Sequence, residues 1–220
     1  ESTEYQAALA NALIEFDWIP KAIRELKKLK ELGDSSDEFD VTADLFQAAK
    51  MLIDNIDFNF SSVLDVGCGV GDLWKYLNKN HFNLKDYKGI DVLDEMIDGA
   101  KTKFDKIKDK FECVDVFDYF GTHDYVVSLG TISTRVFDDD EEQKAYGYNF
   151  LDKLNTLSTK GFAINFLTDY TDERIKTNEL FYYSPELMYT YCKMNYGNVK
   201  VISDYGDGLN EDDCVIIVYK

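Results

Sequence analysis

An apolar run that ends on glycines at every second position constrains this chain more than any other stretch. It reads Ser62-Val63-Leu64-Asp65-Val66-Gly67-Cys68-Gly69-Val70-Gly71-Asp72-Leu73. The apolar run with its two valines predicts a buried strand, and Leu73 to Leu77 predict the opening of a helix. Glycine carries no Cβ, so the backbone between them can turn sharply and a ligand can approach it closely. Open α/β sheets bind ligands at such a crevice, beyond the carboxyl ends of the strands. A nicotinamide-type Gly-x-Gly-x-x-Gly turn would need its third glycine where Asp72 stands, and an acid there repels a pyrophosphate.

Asp65, Gly67, Gly69 and Gly71 match, position by position, the acidic-x-Gly-x-Gly-x-Gly motif of the class I S-adenosylmethionine-dependent methyltransferases, which the chain resembles. The resemblance implies S-adenosylmethionine as cofactor. Its methionine part would lie on the turn, Cys68 included, with Asp65 supporting the turn and the amino group. A second strand, Tyr87 to Asp91, ends in an acid about 20 residues after the last motif glycine, where a carboxylate can accept from two ribose hydroxyls. The family's second motif then implies Asp91 on the ribose and Val92 beside the adenine, with Met96 in the helix that follows. After a third strand, Phe111 to Val114, the resemblance implies Asp115 at the adenine amino group and the Val116 N–H at a ring nitrogen; Asp118 competes with Asp115.

A fourth strand, Tyr125 to Leu129, brings Ser128, Leu129 and Gly130 to the place that in the family lies between sulfonium and acceptor. Enzymes that methylate nucleobase amino groups carry an acid or Asn there, then Pro-Pro and an aromatic. Cytosine-C5 enzymes need Pro-Cys. The residues here are Ser128-Leu129-Gly130-Thr131, so nucleobase methylation loses its local support.

Charge points the same way. Acidic residues number 42 against 24 basic ones, a formal net charge of −18, and such a surface repels phosphate backbones and anionic membranes. The cations of Lys101 to Lys110 are interrupted by Asp105 and Asp109 and read as a solvated helix face. Arg135 can either pair with Asp138 to Glu142 or meet an anionic acceptor, and simple pairing is the favoured reading. The four cysteines form no Cys-x-x-Cys pair and the histidines are two, so no metal site is expected. Strand-like surroundings predict buried free thiols at Cys113 and Cys214, in a reducing compartment. No apolar run approaches the length of a membrane span, and no basic-then-apolar opening marks a secretory leader. The expectation is a cytoplasmic monomer or homodimer without membrane or nucleic-acid partners.

Helical spacing over Tyr5 to Phe16, a second helix from Pro20, and a third over about Thr42 to Ile53 predict a helical N-terminal cap, residues 1–58, ahead of a cofactor-binding domain over 59–220. Phe46 and Gln47 fall where related small methyltransferases place residues near the cofactor carboxylate. Further on, Arg135 to Gln143 is a charged stretch expected to follow a loop, with Tyr146, Tyr148 and Asn149 at the start of a helix running toward Leu157. A fifth strand spans Lys160 to Leu167, a capped helix spans Pro185 to Lys193, and a late pair of strands, Val199 to Ser203 and Val215 to Tyr219, flanks the acidic loop Asp204 to Asp213. The expected fold is α/β and Rossmann-like, a seven-stranded mixed sheet with helices on both faces. The longer likeness, Ser62 to Lys220, is to small bacterial and archaeal methyltransferases of undefined substrate.

The expected reaction is methyl transfer to a small-molecule acceptor by in-line displacement. Tyr148, Asn149, Asp169 and Tyr183 are the polar candidates near the chemistry. Methylation of a protein is the enzyme alternative, since an acidic surface can steer a basic protein; a non-catalytic cofactor-binding or structural protein on the same fold is the other.

Overall fold

Strand β1, Ser62–Val66, is buried along almost its whole length, and a strand of that kind needs cover on both faces. The computed structural model, which describes residues 49–52, 54–171, 173–174, 176–203 and 213–220, supplies that cover. β1 pairs in parallel with β2, Asp86–Asp91, on one side and with β4, His123–Ser128, on the other. β3, Phe111–Cys113, extends the sheet beyond β2, and β5, Ser158–Leu167, extends it beyond β4. β7, Asp213–Tyr219, runs antiparallel between β5 and the edge strand β6, Asn198–Ile202, giving the order β3-β2-β1-β4-β5-β7-β6.

Strand alternation sends Leu64, Val66, Val126, Phe162, Ile164 and Phe166 to one face. There they pack under helices α3, Asp140–Leu157, and α4, Pro185–Tyr196. Val63, Val127, Ala163 and Ile217 face the other side. Helices α1, Asp72–Lys79, and α2, Asp94–Lys103, cover them with Leu73, Leu77, Ile97 and Ala100. Residues 49–52 and 54–55 are helical and add Ala49 and Leu52 to this second core. The first two expected helices, most of the cap, Phe46, Gln47 and residues 204–212 of the acidic loop lie outside the described residues.

Some boundaries differ from the sequence reading. α3 opens at Asp140, ahead of the expected start near Tyr146, because Asp139 caps it, accepting from the N–H groups of Glu141 and Glu142 at 2.9 and 3.0 Å. The acids before the expected start are the helix's first turn, at the positive end of its dipole. α4 runs on to Tyr196 and stops at Gly197. The lysine-rich stretch is not one helix. α2 ends at Lys103, and Asp105–Lys110 forms a separate 3-10 segment. Cys113 is exposed rather than buried, since β3 is a three-residue edge strand; Cys68, Cys192 and Cys214 are buried, and no disulfide joins any of the four. Among the described residues no helix is long and apolar enough to cross a membrane.

Candidate functional site

The chain leaves β1 toward β2 and β3, then returns to place β4 on the other side of β1. This reversal opens a crevice at the carboxyl ends of β1 and β4. The glycine turn stands at its mouth. Gly67, Gly69 and Gly71 have φ of 70°, 50° and 84°, the left-handed region that side chains disfavour. At Gly67 a second reason applies: a Cβ would lie 2.3 Å from Thr131 Oγ1, so the turn and the loop after β4 are in direct contact.

The turn is hung from β2. Gly67 and Cys68 donate their N–H groups to the Ile90 carbonyl at 2.9 and 3.0 Å. Gly69 N–H donates to Asp91 Oδ2 and Leu93 N–H donates to Asp91 Oδ1, both at 3.0 Å. Asp91, 4% exposed, therefore holds the turn and its own strand's exit together, while each oxygen keeps a further lone pair for a ligand hydroxyl. Val92 beside it is exposed, whereas Met96 is buried beneath the turn of α2. Asp115, exposed after β3, caps the 3-10 turn Val116–Asp118 by accepting from Phe117 N–H at 2.8 Å; Val116 is buried in the core and Asp118 is exposed.

Across the crevice, Ser128 Oγ donates to the Val66 carbonyl at 3.0 Å, and Leu129 is buried. Gly130 N–H donates to Asn165 Oδ1 at 2.6 Å, and Asn165 Nδ2 donates to Asp213 Oδ2 at 3.0 Å. A chain of polar contacts thus ties the ends of β4, β5 and β7 together. Sequence reasoning did not single out Thr131 or Asn165. Asn165 was detectable as the one amide inside the apolar strand Phe162 to Leu167.

Electrostatics at the turn favour a positive ligand. Asp65 is 2% exposed, and burial raises its carboxyl to about 7, with the Tyr87 hydrogen bond opposing and Asp91 and Asp72 adding to the rise. Neither Asp65 nor Asp91 has an ion-pair partner among the described residues. Asp72 opens α1, where an anion such as a phosphate would otherwise sit, and pairs with Lys103 at 2.6 Å. Close backbone, a ribose-type acceptor at Asp91 and uncompensated carboxylates fit a nucleoside ligand that carries positive charge. They do not fit a pyrophosphate.

The four polar candidates on the other side occupy different surroundings rather than one pocket. Tyr183 lies in the core, its ring against Phe166 and Phe181. Its hydroxyl accepts from Gln143 Nε2 at 3.3 Å and faces the Ile132 carbonyl at 3.4 Å, and burial holds it far above its ordinary pKa. Tyr148 stacks on Tyr191 at 4.3 Å, in the seam between α3 and α4. Asn149 lines an open groove of about 640 Å³ with Phe117, Tyr146 and Lys153. Asp169 is exposed just beyond β5, and burial together with Glu186 raises its carboxyl above the ordinary range. Arg135 pairs with Asp140 at 2.8 Å and lies over the Phe181 ring, in line with the simple pairing expected of it.

Comparison with known proteins adds four likenesses to this geometry. The model of the methyltransferase domain family matches residues 63–147. A protein of Mycobacterium tuberculosis, provisionally named as a methyltransferase, is 36% identical over 147 residues, covering 66% of this chain and 87% of its own length. Magnesium protoporphyrin IX methyltransferase from Synechocystis, solved with bound S-adenosylhomocysteine, superposes with a TM-score of 0.63 at 15% identity, over 85% of this chain and 90% of that one. A small-RNA methyltransferase superposes with a TM-score of 0.64 at 13% identity, over 84% of this chain and 26% of that one. At these identities the two solved structures speak for the fold alone.

Proposed function

The chain belongs to the class I S-adenosylmethionine-dependent methyltransferases, and on that premise we propose that its acceptor is a small molecule, methylated by in-line displacement. The observation that carries this reading is the fate of the cations. Lys103 pairs with Asp72, Lys108 with Asp105, Lys110 with Asp86 and Lys88 with Glu112, at 2.6 to 3.2 Å. Three of the five lysines between Lys101 and Lys110 are thereby paired with acids of the same domain. A nucleic-acid enzyme needs a positive track along the phosphates, and among the described residues these pairs leave little of one. The solved relatives include an enzyme named for a porphyrin and one named for RNA, so the fold by itself selects neither.

The bound cofactor supplies a methyl group already activated on sulfonium. The protein's task is to align the acceptor behind that methyl and keep water out. In this reading the turn Gly67 to Gly71, with Cys68, carries the methionine part, and Asp65 serves the amino group. Asp91 accepts from the ribose hydroxyls, Val92 and Met96 border the adenine, and Asp115 and the Val116 N–H read its edge. Ser128, Leu129 and Gly130 wall the space between sulfonium and acceptor. Of the acceptor-side candidates, Asp169 is suited to take a proton, since its raised carboxyl sits at the carboxyl end of β5.

Methyl-labelled cofactor, added with the protein to a cell extract that is then separated by size, tests the reading. Label is expected in the low-molecular-weight fraction. Label confined to RNA or DNA would overturn the proposal. Label confined to protein would favour the second reading, in which the charge of −18 steers a basic protein to the site.

A further inference from the structure

Asp65 receives, among the described residues, a single hydrogen-bond donor: the Tyr87 hydroxyl donates to its Oδ2 at 2.6 Å. Tyr87 sits on β2 opposite Val63, so its side chain leaves the same face of the sheet as that of Asp65. It is 3% exposed, and its ring is fixed between Trp74 and Phe111, at centroid distances of 5.1 and 6.0 Å. Among the described residues, the other titratable groups facing this pair are Asp91 from β2, Asp72 from α1 and the Cys68 thiol of the turn. None is a cation. A buried carboxylate in such company favours its neutral form unless a donor or a positive ligand stabilises the charge.

We propose that Tyr87 is a positioning residue for the amino group of the cofactor: its hydroxyl fixes the Asp65 carboxylate and favours its charged form, so that cofactor affinity depends on pH through this pair. The proposal rests on the reading that Asp65 serves the amino group. Burial pushes the Asp65 carboxyl up to about 7 and the Tyr87 bond pulls against that rise. The Tyr87 phenol itself is held well above its ordinary value, by burial first and by Asp65 second, and stays a donor across the neutral range. Charge on Asp65 appears as pH rises through neutrality, and the positive amino group then binds it. Without the hydroxyl, the same charge appears only at higher pH.

Calorimetry on the full chain tests this with S-adenosylhomocysteine and its analogue lacking the amino group, between about pH 6 and pH 8.5. Wild type is expected to bind S-adenosylhomocysteine about tenfold more tightly at pH 8 than at pH 6, and the analogue equally at both. In Tyr87→Phe the rise should move up by about one pH unit. Affinity then falls about fivefold at pH 7 and returns to within about twofold of wild type at pH 8.5, with the analogue unaffected. Asp65→Asn should give flat profiles for both ligands. A Tyr87→Phe loss that is equal at every pH and for both ligands marks a packing role and overturns the proposal, as does no change. If Asp65→Asn flattens the profile while Tyr87→Phe leaves it in place, Tyr87 alone is refuted. If Asp65→Asn retains the wild-type profile, the reading of Asp65 itself fails, and the proposal with it.

Discussion

On one side of the β1–β4 crevice, Asp65 and Asp91 are buried with no ion-pair partner among the described residues. On the other side, Asp152 accepts from the hydroxyls of both Tyr191 and Tyr196, at 3.0 and 2.5 Å, Glu186 accepts from Tyr170 and from Ser184, and Arg135 is paired with Asp140. The first side leaves charge unmatched, which costs stability and rewards a ligand of opposite sign. On the second, Asp152, Glu186 and Asp140 are matched by hydroxyls or a cation of the same chain, and stacked rings give the shape. The first side is thus marked by charge and the second by contour, which an amino-acid sequence does not spell out.

Removing charge from the first side should break the contrast most strongly. The Asp65 carboxyl is raised from 3.8 to about 7 in the folded chain, so the folded state binds more protons than the unfolded one between those values. Stability therefore falls as pH rises from about 4 to about 7 and is level above, a cost on the order of 4 kcal/mol at full extent. Asp65→Asn should stabilise the ligand-free chain by up to about 4 kcal/mol at pH 8 and by little at pH 4, as read by urea unfolding at both. Unchanged stability at pH 8 would erase the supposed cost.

Asp91→Ala comes next. Cofactor binding should weaken by roughly 1.5–3 kcal/mol, the range for hydrogen bonds to a charged group. Adenosine analogues without ribose hydroxyls should lose affinity for wild type and little more for the variant. Equal losses on both proteins would take Asp91 off the ribose.

A change on the second side should act on stability alone. At Gly147 a Cβ would lie 2.7 Å from the buried Tyr183 ring, so α3 approaches that ring only because the side chain is absent. Gly147→Ala gains helix propensity but overpacks the core, for a net loss of about 1–2 kcal/mol. Titration of the folded variant with S-adenosylhomocysteine should give the wild-type affinity. A tenfold weaker complex would couple the two sides that the comparison separates. The smallest effect belongs to Asp140→Asn. Its carboxylate is 64% exposed, and the Arg135 pair should be worth less than about 0.5 kcal/mol, vanishing in salt.

The glycine turn and its tie to β2 were legible because their constraints act on the backbone. Alternate glycines after a strand, then an acid at the end of the next strand, are spacings that a linear sequence displays. What Tyr87 does was not legible: alternation in β2 says only that it is buried, and its partner lies 22 residues away on another strand. The start of α3 was lost because Asp139 to Glu142 read as solvated charge, although the same acids are good capping residues. Cys113 was misjudged since strand-like neighbours do not reveal a three-residue edge. Tyr183 sits in an aromatic run that suggests a pocket, and only tertiary packing against Gly147 shows that its hydroxyl is already engaged.

β7 lies between β5 and β6, although it follows both in the chain. During synthesis, β6 is made before the strand that joins it to the sheet. Until Asp213 to Tyr219 leave the ribosome, β5 presents an open edge with Phe162, Ile164 and Phe166 on one face. An open apolar edge recruits strands from other chains. A translation pause just before residue 213 should thus raise the yield of aggregated product, and silent codon changes there would reach solubility without altering a single side chain.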